Sequence, residues 1–245
     1  VTIQGARTGI TGGAVPGGGH VLNLSRMNRF LGVRRDGARF FLRVQPGVVL
    51  ADVTSRLADM EFDTAGWTDG SRAALASLRQ AGPHMFATDP TETTASIGGM
   101  VACNASGART LRYGAMREHV EALRVVLADR RTVTLRRGKQ RASGRRFEVA
   151  LDDGSTVRGE FPAYDAPGVK NAAGYFIRPD MDLVDLFVGM EGTLGVVTEV
   201  ELRLLPKPPS MWGVMAFVPG EDAAVALVRV LRGEKVKGVE GSPAM

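Results

Sequence analysis

The sequence predicts an α+β fold of two α/β subdomains followed by the opening of a further domain. Three observations carry that expectation. Short apolar runs bounded by Gly and Pro fill the first part of the chain and give way to one segment with helical spacing. Two pairs of strand-like runs flank tight polar turns in the middle. A cluster of prolines then stops the last strand and marks a boundary.

Val1–Ile3, Val21–Leu24, Phe30–Val33 and Phe40–Val44 are the opening strand candidates, and Pro46-Gly47 turns the chain after the last of them. Leu50, Val53, Leu57 and Met60 fall on one helical face, so residues 50–60 are expected to be helical. Residues 64–82 are rich in Gly, Ala and Ser, with Leu75 and Leu78 as their large aliphatics, and read as a connection containing a short helix. The first subdomain is expected to span residues 1–72 and the second residues 73–206. In the second, Asp89-Pro90-Thr91-Glu92-Thr93-Thr94 reads as a helix N-terminus, because Asp and Thr side chains accept from the unpaired N–H groups there. Val120–Leu127 with Thr132–Leu135, and Phe147–Leu151 with Thr156–Gly159, read as two hairpins. Leu183–Val188 is an apolar run with a helix start at Asp182. Gly195–Leu205 alternates as a final strand and is stopped by Pro206-Lys207-Pro208-Pro209. Residues 207–245 then hold a strand candidate, Met211–Val218, and a helix over Asp222–Leu231 with Ala224, Leu227, Val228 and Leu231 on one face. A lone βα unit cannot bury that face, so this last segment is expected to be an incomplete domain.

Composition bounds the function classes. The 245 residues are 44% hydrophobic and 23% charged, ordinary for a soluble globular protein. No run of about eighteen apolar residues exists, so no transmembrane segment is expected, and no secretory signal pattern is present. A single cysteine, Cys103, excludes an internal disulfide framework and fits a reducing compartment. A cytoplasmic protein, including one peripheral to a membrane, is therefore expected. Cys103 has no His/Asp arrangement near it and reads as a small buried apolar residue. His84 and His119 are isolated, so no metal site is expected and both read as surface or packing residues. The net charge of +5 is concentrated between Arg130 and Arg146, which holds seven Arg and one Lys. Without interleaved aromatics this stretch reads as a solvated hairpin or insertion rather than a nucleic-acid surface. The chain begins at Val1 with no initiator Met, and an N-terminal piece is expected to be missing.

The stretch Gly5-Ala6-Arg7-Thr8-Gly9-Ile10-Thr11-Gly12-Gly13-Ala14-Val15-Pro16 follows the first strand candidate. Such a loop exposes successive backbone N–H groups without side-chain obstruction, the geometry that cradles a pyrophosphate. It lacks the GxGxxG spacing and has no Gly-Lys-Ser/Thr, so by itself it also reads as a wide turn. Ile97-Gly98-Gly99-Met100-Val101-Ala102-Cys103-Asn104-Ala105 is almost free of bulky side chains and could approach either another backbone or a flat ligand. Glu191-Gly192-Thr193-Leu194-Gly195-Val196-Val197 reads as a tight turn entering a strand.

In this order and spacing, these three segments, with Ser106-Gly107-Ala108-Arg109, Leu111-Arg112-Tyr113-Gly114 and Phe187-Val188-Gly189-Met190, resemble the flavin-binding domain of the vanillyl-alcohol oxidase/para-cresol methylhydroxylase superfamily. The resemblance covers about residues 1–206 and within that superfamily is to the FAD-linked D-lactate, glycolate and D-2-hydroxyglutarate dehydrogenases. It implies a PCMH-type FAD-binding fold followed by the start of a ferredoxin-like cap domain. It also implies non-covalent FAD, since the loop has no His to attach it and His20 lies beyond. By this resemblance the pyrophosphate lies against Gly5, Ala6, Arg7, Thr8, Gly9, Ile10 and Gly12, with Arg7 either pairing with phosphate or lying exposed. Pro90, Thr91, Thr94, Ser96, Gly98 and Gly99 are expected on the flavin and ribityl side, continued by Asn104, Ser106 and Gly107, with Tyr113 and Gly114 as neighbours. Glu191, Gly195, Val196 and Val197 are expected at the adenine end, and Lys170-Asn171-Ala172-Ala173-Gly174-Tyr175 matches a further recurrent element. The implied activity is oxidation of a D-2-hydroxy acid by hydride transfer to flavin N5, with a quinone, cytochrome or electron-transfer flavoprotein as acceptor. The catalytic base would come from the cap domain. An alkyl-dihydroxyacetone-phosphate synthase-like flavoenzyme and a truncated, non-catalytic FAD-binding or partner subunit are the alternatives; the Phe161-Pro162-Ala163-Tyr164 insertion leaves the subfamily open.

Overall fold

The apolar side chains along residues 30–44 become an antiparallel hairpin in the computed structural model, which describes residues 1–163, 166–169 and 171–235. The chain divides into two units, Val1–Lys207 and Pro208–Met245. In the first, β1 (Thr2–Gln4) and β2 (Val21–Asn23) form a two-stranded parallel pair. β3 (Phe30–Asp36) and β4 (Arg39–Val44) follow, joined through Gly37. α1 (Leu50–Asp59) buries Leu50, Val53 and Leu57, the face its spacing implied. α2 (Asp69–Gln80) begins at Thr68, whose hydroxyl accepts from the Ser71 N–H at 3.2 Å, and buries Ala74, Leu75 and Leu78. It is longer than expected because Ala, Leu, Arg and Gln are strong helix formers even where few large apolar residues mark a face.

β5 (His84–Met85) precedes three short helices, α3 (Ile97–Ala102), α4 (Thr110–Tyr113) and α5 (Met116–His119). The helix start expected at Asp89–Thr94 lies at Ser96 instead. Glu92 Oε1 accepts from both the N–H and the hydroxyl of Thr94, at 2.9 and 2.6 Å, and this local turn displaces the helix downstream. β6 (Val120–Val126) and β7 (Thr132–Arg136) form one hairpin, and β8 (Arg146–Ala150) and β9 (Thr156–Glu160) a second, both close to the expected bounds. The run at 183–188 is a 3-10 helix, Leu183–Phe187, with Asp182 at its N-cap position.

β10 (Val196–Pro206) is the last strand among the described residues and the central one in the sheet, whose order is β3-β4-β10-β6-β7 with β5 paired to the end of β10. Strands from both sides of residue 72 therefore share one sheet. Its register sets Val200 between Val44 and Leu123 and Leu202 opposite Leu42, and all five are buried. Each such aliphatic side chain contributes about 1.5–3 kcal/mol on full burial. Helical Ile97, Met100 and Val101 join the same core.

The other sheet face is charged. Arg136 holds both Glu201 oxygens, at 2.7 and 3.0 Å, and Arg34 Nη2 adds a contact at 2.7 Å. The Arg34 guanidinium also lies 4.1 Å over the fully buried Phe41 ring. Members of the basic run are committed in the same way: Arg131 to Asp129, Arg137 to Asp185, and Arg145 and Arg146 to Glu160. His84 and His119 are buried packing residues, set edge-on to Phe40 and Phe86. Burial pushes the His119 imidazole down in pKa, favouring its neutral form.

In the second unit α6 (Glu221–Leu231) forms as expected, but no residue of it is buried. Met211–Val218 is not a strand, and Met211, Trp212, Val214, Met215 and Phe217 are exposed. An extended segment needs a partner for its N–H and C=O groups, and no strand is present among the described residues of this unit to provide one.

Glu201→Gln is expected to lower stability by about 1–3 kcal/mol at neutral pH, measured by urea unfolding, because two arginines then face a neutral group. Burial alone would push the Glu201 carboxyl up, but the hydrogen bonds from Arg136 and Arg34 outweigh it and hold the pKa below the usual range. This stabilisation is complete above the ordinary glutamate pKa and is lost as pH falls through the lowered native value. The wild-type advantage over the variant should shrink on acidification in that window. A gap independent of pH would contradict the assignment.

Candidate functional site

The glycine-rich loop is braced from its base. Gln4 Nε2 donates to the Ala14 carbonyl at 2.7 Å, and Asn23 Nδ2 donates to Gln4 Oε1 at 3.4 Å. Within the loop, Gly12 N donates to Gly9 O and Val15 N to Gly12 O, making two small turns. Arg7 takes a left-handed φ of 63° and is exposed. The backbone N–H groups of Arg7, Thr8, Gly9, Ile10, Thr11 and Gly13 find no acceptor among the described residues. The space around Gly9 is open to 4 Å, and Ile10 is fully exposed.

Ser96 joins this loop to α3. Its buried hydroxyl accepts from Gly99 N at 3.3 Å, capping the helix, and from Ala6 N at 3.2 Å. Gly5 lies so near that any Cβ there would collide with the same hydroxyl. Gly98 meets a different neighbour. Its N–H donates to Pro46 O at 2.8 Å, and an added Cβ would stand 2.5 Å from Pro46 Cβ. The lack of a side chain at Gly98 is thus required by protein packing on that side.

The third segment is laced to the C-terminal end of α3. Gly189 N donates to Val101 O and Glu191 N to Ala102 O, both at 2.8 Å. Glu191 Oε2 then lies 3.7 Å from where a Cβ of Gly13 would stand, and Gly192 lies against Ile3. Gly195 is closed against Val125 and Val126, while Val196 and Val197 pair with those residues inside the sheet. Tyr175 reaches this segment through a 2.8 Å hydrogen bond between its hydroxyl and Thr193 Oγ1.

The structure thus brings together Gly5–Gly13, Ser96–Gly99 and Glu191–Gly192. Other expected residues sit in supporting positions. Pro90, Thr91 and Thr94 occupy the turn before α3, which is tied to α1 by Ala51 N donating to Thr93 O. Gly107 closes on the Asp89–Pro90 backbone, and Asn104 Oδ1 accepts from Arg117 N at 3.0 Å. Ser106 is half-buried, and Tyr113 and Gly114 end α4 with Arg112 5.6 Å from the Tyr113 ring. Asn171 spends its side chain on its own turn, bonding Pro167 O, Val169 O and Ala173 N. Tyr164 and Lys170 lie outside the described residues.

Cys103 differs from expectation: it is exposed, and its thiol donates to Gly99 O at 2.8 Å. Desolvation of the sulfur and the nearby Glu191 carboxylate push its pKa up, which keeps it a thiol. Sequence reasoning missed the long-range partners of Gln4, Asp89 and Arg117, and gave Asp89 a capping role in place of the one it has. Asp89 binds the Arg109 side chain at 3.1 Å and accepts from its N–H at 2.9 Å. No periodicity or local spacing marks these three, because their partners are distant in the chain.

Among the described residues no group of three or more His, Cys, Asp or Glu side chains could hold a metal ion. No helix there is long and apolar enough to cross a membrane. A cleft of about 820 Å³ lies on the charged sheet face, walled by α2. Its Arg34, Arg136, Arg124 and Arg43 are paired with Glu201, Asp152 and Glu199, and it contains none of the expected site residues.

Two substitutions separate packing from site architecture. Gly98→Ala must push against Pro46 and is expected to cost about 1–3 kcal/mol of stability in denaturant titration. Ser96→Ala removes the α3 cap, costing about 1 kcal/mol, and frees Ala6, which should exchange its amide hydrogen faster. Unchanged exchange at Ala6 would show that the hydroxyl does not tether the loop.

The arrangement can be compared with known proteins. The family described as FAD binding domain matches residues 1–77 and 75–136. The chain is 32% identical over 223 residues to a D-lactate dehydrogenase of Anaerostipes hadrus, covering 91% of this chain and 34% of that protein. It is 30% identical over 235 residues to glycolate oxidase subunit GlcD of Bacillus subtilis, covering 95% of this chain and 37% of that protein. The chain therefore spans little more than a third of the length of these curated relatives. Among solved structures, an alkyldihydroxyacetonephosphate synthase superposes with a TM-score of 0.53 at 18% identity, covering 85% of this chain and 28% of that one, a likeness of fold. The family match covers more than half of the residues, and it coincides with the loop and helix that meet at Ser96: this chain belongs to the FAD binding domain family.

Proposed function

We propose that the chain supplies the FAD-holding portion of an FAD-linked D-2-hydroxy-acid dehydrogenase. The observation that carries this reading is the set of backbone N–H groups of Arg7, Thr8, Gly9, Ile10, Thr11 and Gly13, which find no acceptor among the described residues, in a loop held on Ser96 and flanked by Glu191. A pyrophosphate needs donors that no protein group already uses. Each charge-assisted bond contributes about 1.5–3 kcal/mol, so several can hold a dianion without a lysine.

In this reading Thr8, Gly9 and Ile10 present free N–H groups to the pyrophosphate, Gly5, Ala6 and Gly12 shape the loop around it, and the exposed Arg7 adds a cation beside it. Pro90, Thr91, Thr94, Ser96, Gly99, Asn104, Ser106, Gly107, Tyr113 and Gly114 shape the flavin and ribityl side. Gly98 acts there through its packing on Pro46. Glu191, Gly195, Val196 and Val197 form the adenine end. With no histidine between Gly5 and Pro16, the cofactor is held without a covalent bond. FAD, when bound, supplies a two-electron acceptor for a hydride from the substrate α-carbon.

The relatives named D-lactate dehydrogenase and glycolate oxidase subunit support a small 2-hydroxy acid as substrate. A quinone, cytochrome or electron-transfer flavoprotein would reoxidise the flavin. The unit from Pro208 onward opens the substrate domain, and the single cysteine fits a cytoplasmic protein.

Purified chain incubated with FAD and passed through a desalting column is expected to emerge yellow, and denaturation should release all of the flavin. A colourless protein that stays so with excess FAD would remove the reading. Flavin retained on the unfolded polypeptide would refute the non-covalent attachment.

A further inference from the structure

Arg117 is an arginine that neither the loop pattern nor the family match singles out, yet it sits where two site segments meet. It lies on the one-turn helix α5, and its side chain is 13% exposed. Its guanidinium donates to two backbone carbonyls just before the Gly189 turn: Nη1 to Asp185 O in the 3-10 helix, and Nη2 to Val188 O at 2.6 Å. It also lies 4.2 Å over the Phe176 ring. Its own N–H donates to Asn104 Oδ1, and Asn104 Cβ and Arg117 Nη2 lie 3.4 and 3.5 Å from the Cβ position of Gly189. Gly189 has a φ of 88°, so the chain turns there into the Glu191–Gly195 loop in a conformation that side chains resist. Arg137 supports the arrangement from behind, binding both Asp185 carboxylate oxygens at 2.7 and 3.1 Å and the Arg117 carbonyl at 3.0 Å.

A buried guanidinium is costly to desolvate, and here carbonyls absorb its donors while Asp185 lies 3.9 Å away. The carbonyls belong to the residues just before the Gly189 turn. Removing the fork frees that turn, and with it the position of Glu191 beside Gly13. We propose that Arg117 is a positioning residue of the FAD site, fixing the Gly189–Gly195 loop against α3 so that Glu191 faces the glycine-rich loop. The inference rests on the FAD reading above. Lysine cannot replace the planar fork, because a single ammonium does not reach two carbonyls in the same geometry.

The test uses the whole 245-residue chain. Arg117→Lys and Arg117→Met are compared with Leu78→Ala, a core change in α2, which packs along β3 and carries none of the expected site residues. Three quantities are read: the thermal midpoint of the apoprotein, FAD affinity by flavin fluorescence quenching, and amide exchange along residues 186–206. Both Arg117 variants are expected to weaken FAD binding by about tenfold or more, the loss of one charge-assisted hydrogen bond. Amides of Gly189–Gly195 should exchange faster while those of β10 do not change. Leu78→Ala should lower the midpoint and leave FAD affinity and loop exchange as in wild type. Added methylguanidinium should restore part of the affinity of Arg117→Met and none to Leu78→Ala.

Wild-type affinity and loop exchange in Arg117→Lys would overturn the inference. So would a loss of affinity in Leu78→Ala that matches Arg117→Lys at equal midpoint, since the role would then be general stability. If wild-type chain binds no FAD, the FAD reading itself fails and this assignment falls with it. The exchange measurement still reports whether the arginine holds the loop.

Discussion

The pairing of β10 with both β4 and β6 is the constraint on which the rest of the first unit depends. β10 enters the sheet about 150 residues after β4, so its ladder closes a long loop whose entropy cost grows only slowly with length. What opposes that cost is the buried face on which Val44, Val200 and Leu123 align, with Leu42 and Leu202 beside them. A one-residue slip would send Val200 and Leu202 to the charged face and Glu201 into the core. Glu201, held by Arg34 and Arg136 on the opposite face, enforces the same register through charge. β10 anchors the C-terminal end of the loop just before it, and bonds from Gly189 and Glu191 to α3 bring Glu191 beside the glycine-rich loop.

The glycines of the three segments do two distinct jobs. At Gly98 the missing side chain makes room for Pro46, so the residue cements α3 to the chain that follows β4. At Gly9 no protein atom fills the space, and the flanking N–H groups are free among the described residues. A glycine that the protein itself fills explains stability, whereas one that faces open space beside unused donors points to a ligand. This distinction gives the loop at 5–16 its chemical meaning, and composition alone does not make it.

Legibility followed the range of the physics. α1 and the two hairpins were readable because periodicity and turn chemistry act over two to four residues. The start of α3 was misplaced because Glu92 takes up the Thr94 groups and leaves the cap to Ser96, a competition among near-equal local bonds. Met211–Val218 has the apolar character of a strand and no strand partner among the described residues of its unit. The three site segments were legible as patterns, but their supports were not. Asp89 finds Arg109, Gln4 finds Ala14, and Arg117 finds the carbonyls of Asp185 and Val188.

By itself the sequence determined the α+β class, the principal hairpins, the glycine-rich segments and, through their resemblance, an FAD-binding role. The first three follow from local spacing and residue type; the FAD-binding role is what the resemblance implies. Only the tertiary structure decided that Ser96 links the loop to α3, that Glu191 stands beside Gly13, and that Cys103 is exposed. It also decided that Arg136 and Arg137 of the basic run are spent on the buried carboxylates of Glu201 and Asp185. The reason is geometric: whether a donor is free, a charge paired or a thiol covered depends on which distant segment the fold brings against it, and that depends on where β10 inserts.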